Sequence, residues 1–286
     1  MKKVLVTGAG GYIGKSLCAY LQTYDREEYC MKGMSVRGDK WKEEDFSQYD
    51  CVVHTAGIAH IKETKENARL YYDINRDLTV EVAQKAKRAG VRQFIFLSSI
   101  SIYGVDTGIL TKETIPNPKA HYARSKLQAE KRLSKLADNN FKVCILRPPM
   151  VYGKGCKGNF QKLARLVKLS PIFPRVNNRR SMIYIDNLCE FIRQCVEWEK
   201  EGIFVPQNKE YVNTDKMVKL LGKQMGKKIY MSYCLGAMVR LASPFLKMLR
   251  KAFGSLVYNE TPDADFSYCI VDFETSIQCS IGKLTN

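Results

Sequence analysis

The sequence predicts an α/β fold in which a doubly wound parallel sheet is followed by a smaller C-terminal lobe. Over the first half of its 286 residues, short apolar runs alternate with longer segments of helical periodicity. A glycine-rich turn follows the first run, and the alternation loosens beyond Val151. Strands that alternate with helices build parallel βαβ units, and ligands bind outside the carboxyl ends of such strands. We therefore expect a sheet domain over residues 1–150 and a lobe over residues 151–286, with a chain that is able to cross between them.

The predicted strands are short and apolar, and the predicted helices carry apolar residues at helical spacing. The strands are Lys3–Thr7, Lys32–Arg37, Cys51–Thr55, Gln93–Leu97 and Lys142–Leu146. The helices are Ile13–Thr23, Ala68–Arg88 and Tyr122–Asp138. The second strand has the weakest pattern, and the segment between Tyr24 and Asp50 is too short for a full strand, helix and strand. This part of the chain therefore departs from the usual plan of such a sheet.

Composition excludes several classes of protein. With 45% hydrophobic and 10% aromatic residues, the chain has enough apolar material for a sizeable core, which argues against a disordered protein. Its ten cysteines form no CxxC pair, and neither cysteines nor histidines have the spacing of a zinc site, so we predict no metal. No apolar run approaches the ~18 residues of a membrane span, and the start lacks the pattern of a signal peptide. We expect a soluble, cytoplasmic protein with reduced cysteines and no stable membrane insertion.

The charge is strongly positive, with 46 Lys and Arg against 29 Asp and Glu and a net charge of +17. Such a charge suits nucleic acid, an anionic membrane surface or the steering of an anionic substrate. Because the basic residues are spread along the chain, we predict no nucleic-acid partner. The stretch Cys234–Phe253 mixes apolar and basic residues around Pro244. It is either a pair of helices with one face in the core or a segment that lies on an anionic membrane, and we favour the core.

The segment Thr7–Gly14 has the sequence of a phosphate-binding turn between a strand and a helix. Gly8 permits the tight turn, Gly11 lets the backbone approach a pyrophosphate, and Gly14 lets the helix pack closely on the sheet. The N-terminus of the helix attracts the anion. The spacing is GxxGxxG rather than GxGxxG. The predicted dinucleotide contacts are Gly8, Gly11, Tyr12, Ile13 and Gly14.

The acidic residue that would bind the ribose hydroxyls, about 20 residues further on, is not evident. Asp25 lies in a polar turn and is interpreted as a solvated loop residue. Arg37 is a candidate to hold a 2′-phosphate, which would favour NADP, and Asp39 is a candidate to contact the adenine amino group. Both are equally well interpreted as surface charges, so NAD and NADP both stay open.

Tyr122 and Lys126 form a YxxxK pair on a predicted helix. Residues four apart share a helix face, and a nearby cation lowers the pKa of a phenol from ~10 toward neutrality. Tyr122 is therefore a candidate general acid/base for the interconversion of an alcohol and a ketone. A serine of the segment Leu97–Gly104, which follows the strand Gln93–Leu97, is a candidate to hydrogen-bond the oxygen that reacts.

These elements, in this order, resemble the extended short-chain dehydrogenases/reductases. The closest resemblance is to the NAD-dependent nucleotide-sugar epimerase/dehydratase group, which includes UDP-glucose 4-epimerase, and it covers nearly all of residues 1–200. It implies a Rossmann-type sheet that binds NAD(P) over residues 1–150 and a lobe that binds a nucleotide sugar over residues 151–286. It also implies a homodimer.

The resemblance assigns further residues. It makes Ser99, Tyr122 and Lys126 the catalytic set, with Tyr122 and Lys126 also contacting the cofactor. It implies cofactor contacts at Thr55, Ala56, Gly57 and Asn75. It places the substrate diphosphate at Asn159 and Arg180, where a guanidinium suits phosphate oxygens.

The chain departs from the family pattern at two places. Dehydratases have Asp-Glu directly after the catalytic serine or threonine, whereas this chain has Ile100-Ser101, which argues against sugar dehydration. The family's usual asparagine after the Arg147 strand is Met150 here. The favoured function is a 4-epimerase for a UDP-hexose or UDP-N-acetylhexosamine. The alternative is an NAD(P)H-dependent 4-keto-sugar reductase for surface polysaccharide, and a non-enzymatic binding protein is favoured less.

Overall fold

A computed structural model describes residues 1–24, 28–59, 61–259 and 266–281, so that Asp25 lies outside the described residues. In these residues the strands are β1 Lys2–Thr7, β2 Tyr29–Met34, β3 Cys51–His54, β4 Gln93–Leu97, β5 Gly108–Leu110, β6 Lys142–Leu146, β7 Met150–Tyr152, β8 Ile172–Pro174, β9 Met182–Tyr184, β10 Gly202–Phe204, β11 Tyr230–Ser232 and β12 Leu256–Tyr258. Six of them form one parallel sheet in the order β10-β6-β4-β3-β1-β2. The predicted α/β fold class is confirmed.

The helices connect and cover these strands. They are α1 Tyr12–Leu21, α2 Ala68–Tyr72, α3 Thr79–Arg88, α4 His121–Ser134, α5 Asn159–Leu169, α6 Ile185–Glu197, α7 Thr214–Gln224, α8 Tyr233–Ala242, α9 Lys247–Phe253 and α10 Phe273–Ile281. A π-helical segment, Asp73–Leu78, joins α2 to α3 within the single long helix that the sequence predicts. None of the described helices is both long and apolar enough to cross a membrane.

Alternate residues of β1 face two different apolar cores. Val4 and Val6 pack in the cluster that includes residues of α1 and α6, whereas Leu5 packs in the cluster that includes residues of α3 and α4. Side chains of a strand point alternately to the two faces of a sheet, so these helices cover opposite faces. The sheet is therefore doubly wound, and its central strands are buried on both sides.

The second strand lies three residues earlier than predicted. It pairs with β1 from Lys2 opposite Tyr29 to Thr7 opposite Met34, whereas the sequence predicted Lys32–Arg37. The strand is at the edge of the sheet and is partly exposed, so its apolar pattern is weak. Two short 3₁₀ turns follow it instead of a helix, and they bury Trp41 and Phe46 in the core.

The C-terminal half is joined to the sheet at several points. Helix α6 packs against α1, and β10 pairs with β6 at the edge of the main sheet. Strand β12 pairs with β5, and β9 pairs with β7. The chain thus returns to the sheet after residue 150, as the sequence interpretation allowed, and the division at that residue stays a prediction.

Candidate active site

The turn between β1 and α1 is packed against the loop that follows β3. Gly8 has a φ of +82°, and a Cβ on it would lie 2.6 Å from the Cα of Ala56. A Cβ on Gly14 would lie 2.6 Å from Oγ1 of Thr55. Among the described residues, no side chain caps the N-terminus of α1, which follows Gly11. This glycine cradle and the uncapped helix N-terminus fit the pyrophosphate of a dinucleotide.

Tyr12 takes part in this turn through its backbone alone. Its hydroxyl is buried, has no hydrogen-bond partner among the described residues, and lies 2.6 Å from the position of a Cβ on Gly153. The ring therefore points toward the segment after β7 rather than toward the predicted phosphates. Tyr12 and Ile13 begin α1, so their backbone N–H groups are what they offer to an anion.

Tyr122 and Lys126 lie one turn apart on α4, and Ser99 lies beside them at the end of β4. The Ser99 hydroxyl hydrogen-bonds to the Tyr122 phenol. It also lies 2.5 Å from the hydroxyl of Ser101. Lys126 is 4% exposed, and its Nζ donates to the Leu97 carbonyl at 2.7 Å. The three predicted catalytic residues are thus neighbours, and their roles stay predictions.

The pKa of Tyr122 differs from the sequence expectation. Burial raises this pKa above the ordinary phenol value, and the hydrogen bond from Ser99 opposes the rise. The sequence predicted that Lys126 would lower it. The ammonium group is instead held at the Leu97 carbonyl and over the Phe96 ring, and burial lowers the pKa of Lys126 to about 7. The lysine is therefore only partly protonated near pH 7, and in this arrangement it lowers the pKa of the Tyr122 phenol little.

Asn75 and Gly57 connect the glycine cradle to Lys126. Asn75 is buried in the π-helical segment, and its side chain exchanges two hydrogen bonds with the Ile58 backbone, at 2.8 and 3.0 Å. A Cβ on Gly57 would lie 2.9 Å from Oδ1 of Asn75 and 3.3 Å from Nζ of Lys126. Single π turns are common at functional sites. The glycine cradle, the loop after β3, Asn75 and Lys126 therefore lie next to one another at the carboxyl ends of the strands, and their contacts with a cofactor stay predictions.

Three polar residues behind the site were missed by the sequence interpretation: Ser98 and Glu130, which are buried, and Arg147, which is partly buried. Glu130 is 3% exposed, accepts a hydrogen bond from the Ser98 hydroxyl, and pairs with the Arg147 guanidinium at 2.7 Å. Glu130 also raises the pKa of Lys126 against the effect of burial. The signal was present, because Tyr122, Lys126 and Glu130 recur at intervals of four residues and so share one face of α4.

A fourth missed residue, Glu63, caps the helix that carries Tyr122. Its carboxylate accepts from the backbone N–H of His121 at 3.1 Å and of Tyr122 at 2.9 Å. An acceptor at this position satisfies two of the free N–H groups of a helix N-terminus. Glu63 is 58 residues from His121 in the sequence, so no local pattern predicts this cap.

Arg37 and Asp39 lie just beyond the end of β2, and both are exposed. The Gly8 N–H donates to the Met34 carbonyl at 2.8 Å, so this strand end is close to the glycine cradle. The Asp39 carboxylate pairs with Lys42 at 2.9 Å. The predicted contacts of Arg37 and Asp39 with the cofactor therefore stay predictions.

Asn159 and Arg180 lie in the second half of the chain. Asn159 is the exposed first residue of α5, directly after Gly158 with a φ of +100°. The Arg180 guanidinium donates to the backbone carbonyls of Lys251 and Gly254, both at 2.9 Å, and burial lowers its pKa. In the described part of the chain, no hydrogen bond joins either residue to Ser99, so their predicted diphosphate contacts stay predictions.

No group of three or more His, Cys, Asp or Glu side chains among the described residues is arranged to hold a metal ion. His54, for example, is buried and lies between the hydroxyls of Thr7 and Thr79, at 2.8 and 3.1 Å. The position of His54 next to Thr7, at the start of the glycine cradle, indicates a structural role.

Comparison with known proteins identifies the family of this chain. Residues 4–205 match the family described as the NAD dependent epimerase/dehydratase family. A UDP-glucose 4-epimerase of Vibrio cholerae is 34% identical over 254 residues, which cover 79% of this chain and 76% of that protein. An N-acetyl-α-D-glucosaminyl-diphospho-ditrans,octacis-undecaprenol 4-epimerase of Escherichia coli O157:H7 is 27% identical, covering 82% of this chain and 76% of that one.

The fold has solved counterparts. The crystal structure of a UDP-glucuronic acid 4-epimerase from Bacillus cereus in complex with NAD superposes with a TM-score of 0.73 at 21% identity, covering 97% of both chains. This likeness confirms the Rossmann-type fold, and the match over residues 4–205 confirms the predicted resemblance and enzyme class. The chain belongs to the NAD dependent epimerase/dehydratase family.

Proposed function

We propose that the protein is an NAD-dependent 4-epimerase for a UDP-linked hexose or N-acetylhexosamine, and that it acts through a transient 4-keto sugar. The observation that carries the proposal is the contact of Ser99 with Tyr122, one helix turn from Lys126 and next to the glycine cradle. Two relatives named above are 4-epimerases, which supports chemistry at the sugar C4. The substrates named for these two relatives share a sugar linked to a diphosphate. The cationic residues in the second half of this chain are suited to bind such a diphosphate.

The residues divide the chemistry between them. NAD, when bound, would supply both the acceptor and the donor of the C4 hydride. Tyr122 takes the proton of the C4 hydroxyl and returns it at the end of the cycle. Ser99 would turn its single O–H from the Tyr122 phenol to the same oxygen and hold that oxygen within reach of the phenol. Lys126 would bind the ribose of the cofactor, and it would favour the phenolate only if its ammonium left the Leu97 carbonyl to which it donates at 2.7 Å.

The dinucleotide would be held along the edge from Gly8 to Gly57. Its pyrophosphate would lie on the N-terminus of α1, and Asn75 would support the loop between the cradle and Lys126. We propose Arg37 and Asp39, just beyond the end of β2, as the residues that would distinguish NADP from NAD. Asn159 and Arg180 would bind the substrate diphosphate. Ile100 and Ser101 put no carboxylate directly after Ser99, so we propose epimerisation without dehydration.

The test begins with purified protein that is denatured to release and identify any dinucleotide. Fresh enzyme is then incubated with UDP-glucose and with UDP-N-acetylglucosamine, without added cofactor. Bound NAD and conversion to the galacto isomer are expected, with no net change in absorbance at the nicotinamide wavelength. No conversion, but oxidation of NADPH with a 4-keto sugar nucleotide, would replace the epimerase with the reductase. If the protein neither binds a dinucleotide nor turns over a substrate, the non-enzymatic alternative is the one that remains.

A further inference from the structure

The helices α8 and α9, with the turn that joins them, form an arm over residues 233–253. We propose that this arm docks the protein on the surface of a membrane that contains acidic lipids. The proposal is independent of the proposed catalytic function, because it rests on the exposure and the charge of the arm alone.

The arm leaves most of its apolar side chains in solvent. In α8 only Gly236 is buried, and α9 has no buried residue. The most exposed side chains are Phe245, Met248 and Leu241, at 86%, 77% and 76%. Four more apolar side chains of the arm are also exposed: Tyr233, Leu235, Met238 and Leu246.

The sequence interpretation placed one face of this segment in the core, and the structure corrects it, because hardly any residue of the arm reaches the core.

The exposed side chains are grouped. Cys234, Met238 and Leu241 recur at intervals of four and three residues, so they form one stripe along α8. Phe245, the most exposed of all, lies in the turn at the end of that helix. Single exposed apolar residues are ordinary, but a contiguous patch marks a surface that meets another molecule or a membrane.

The other side of the arm is attached to the body of the protein. A Cβ on Gly236 would collide with the backbone of Arg175, so α8 lies directly on the segment that follows β8. The Arg175 guanidinium stacks on the Tyr233 ring, 4.4 Å from its centroid. Because this attachment fixes the side that faces the protein, the stripe on α8 is presented outward as a preformed surface.

Charge identifies the kind of surface that the arm fits. From Lys216 to Asn259 the chain contains no Asp or Glu. The same span contains nine basic residues, and four of them belong to the arm: Arg240, Lys247, Arg250 and Lys251. Of these four, Lys251 lies 3.9 Å from the Asp106 carboxylate. Apolar side chains that are flanked by Lys and Arg, with no acid among them, are typical of helices that lie in the interface of an anionic membrane. A second copy of this chain is a poorer partner, because its arm would bring the same positive charge.

The arm is also linked to the predicted substrate region. The carbonyls of Lys251 in α9 and of Gly254 just after it accept the guanidinium of Arg180. Strand β12 then pairs with β5, which follows the Ser99 segment along the chain. Docking through the arm would therefore hold the C-terminal half of the protein, including Arg180, at the lipid surface.

The test is co-sedimentation of the full-length protein with two kinds of vesicle, pure phosphatidylcholine and phosphatidylcholine with about one third phosphatidylglycerol. We expect binding to the anionic vesicles at low salt, and a decrease of at least about tenfold in the partition coefficient at 0.5 M salt. Binding that is equal on both kinds of vesicle, or absent from both, would overturn the proposal.

Two pairs of substitutions separate the arm from the rest of the surface. Leu241→Ser with Phe245→Ser should lower the partition coefficient at least about tenfold. The matched control is Leu166→Ser with Leu169→Ser on α5, which removes two other exposed leucines and should change it less than about twofold. All four side chains are exposed, so turnover of a water-soluble substrate should stay unchanged and report on folding. If the arm variant loses a dimer in solution while it keeps its affinity for vesicles, the arm is a surface between copies and the proposal is wrong.

Discussion

At the scale of the residue, Tyr122 is subject to opposing effects on its pKa. Burial raises this pKa, and the hydrogen bond from Ser99 lowers it. The ammonium of Lys126 points to the Leu97 carbonyl, where it contributes little to the phenol. A general base must be deprotonated to act, so the hydrogen bond from Ser99 is the part of the described site that most favours activity.

We expect Tyr122→Phe to remove turnover while the cofactor stays bound. The substitution deletes the group that moves the proton, and proton transfer by a positioned side chain contributes about 10²- to 10⁴-fold to a rate. The value of kcat should therefore fall by at least about 10²-fold. The amount of dinucleotide that is released on denaturation should match that of the unmodified protein. A variant that retains kcat would mean that another group moves the proton.

His54 makes the stability of the sheet sensitive to acid. Its buried imidazole lies between two threonine hydroxyls, and burial lowers its pKa from the ordinary value of 6.5 to about 3. A group with a depressed pKa in the folded state stabilises the protein above its unfolded pKa, and this stabilisation is lost as the pH falls toward the folded pKa. The sensitive range therefore lies between about pH 6.5 and pH 3.

We expect this group alone to remove about 2 kcal/mol of the free energy of unfolding between pH 6.5 and pH 5. Urea unfolding at these two pH values, compared between the protein and its His54→Gln variant, measures the effect. The variant should be less stable at pH 7 but should lose less stability on acidification. Parallel losses in the two proteins would show that His54 is not the titrating group.

At the scale of the element, the turn between β1 and α1 depends on a close approach of backbones. A Cβ on Gly14 would meet the Gly8 carbonyl and would lie 2.6 Å from Oγ1 of Thr55. We expect Gly14→Ala to push α1 away from β1, lower the melting temperature by several degrees and abolish retention of the dinucleotide. Gly10 is the matched control, since a Cβ there meets no atom within 4 Å and its φ is not positive. Gly10→Ala should therefore fold as the unmodified protein does, and equal destabilisation of both variants would contradict this explanation.

The ion pair between Glu130 and Arg147 joins α4 to the end of β6. Removal of one partner leaves the other charge buried, which costs about 3–5 kcal/mol. We expect Glu130→Leu to destabilise the protein by that amount in urea unfolding. Glu130→Leu combined with Arg147→Met should recover most of the loss, because two apolar side chains then pack where two charges stood. A double variant whose loss equals the sum of the two single losses would show that the residues act independently.

The sequence predicted best those elements whose residues are all buried to the same degree. Strands β3 and β4 are buried along their whole length, so each forms an unbroken apolar run. The edge strand β2 is buried mainly at Tyr29, and its position was therefore misjudged by three residues. The local parts of the site, the glycine turn and the YxxxK pair, were also predictable, because their geometry follows from spacing alone. The Glu63 cap and the bonds from Arg180 to α9 span 58 and more than 70 residues, and only the fold brings these groups together.

At the scale of the whole molecule, charge is the property that the fold explains least. The net charge of +17 is not required by the sheet, whose core is apolar, nor by the catalytic residues. Formation of a homodimer and location in the cytoplasm stay predictions. Positive charge around a site attracts an anionic substrate over distances of about one Debye length and raises the rate of encounter. The loop before α5 is one place where such an effect would act, because Lys157 is exposed there, two residues before Asn159.

We expect kcat/KM for a UDP-sugar to fall severalfold when the ionic strength rises from about 20 mM to about 200 mM, with kcat nearly constant. Lys157→Glu should lower kcat/KM at low salt and make its salt dependence shallower. Lys135→Glu changes the net charge equally, but Lys135 follows the last residue of α4, about 20 Å along the helix from Tyr122, and this variant should behave as the unmodified protein does. Equal effects of the two variants would indicate that only the total charge matters. Absence of any salt dependence would mean that the charge does not steer the substrate and has another function, such as contact with an anionic membrane.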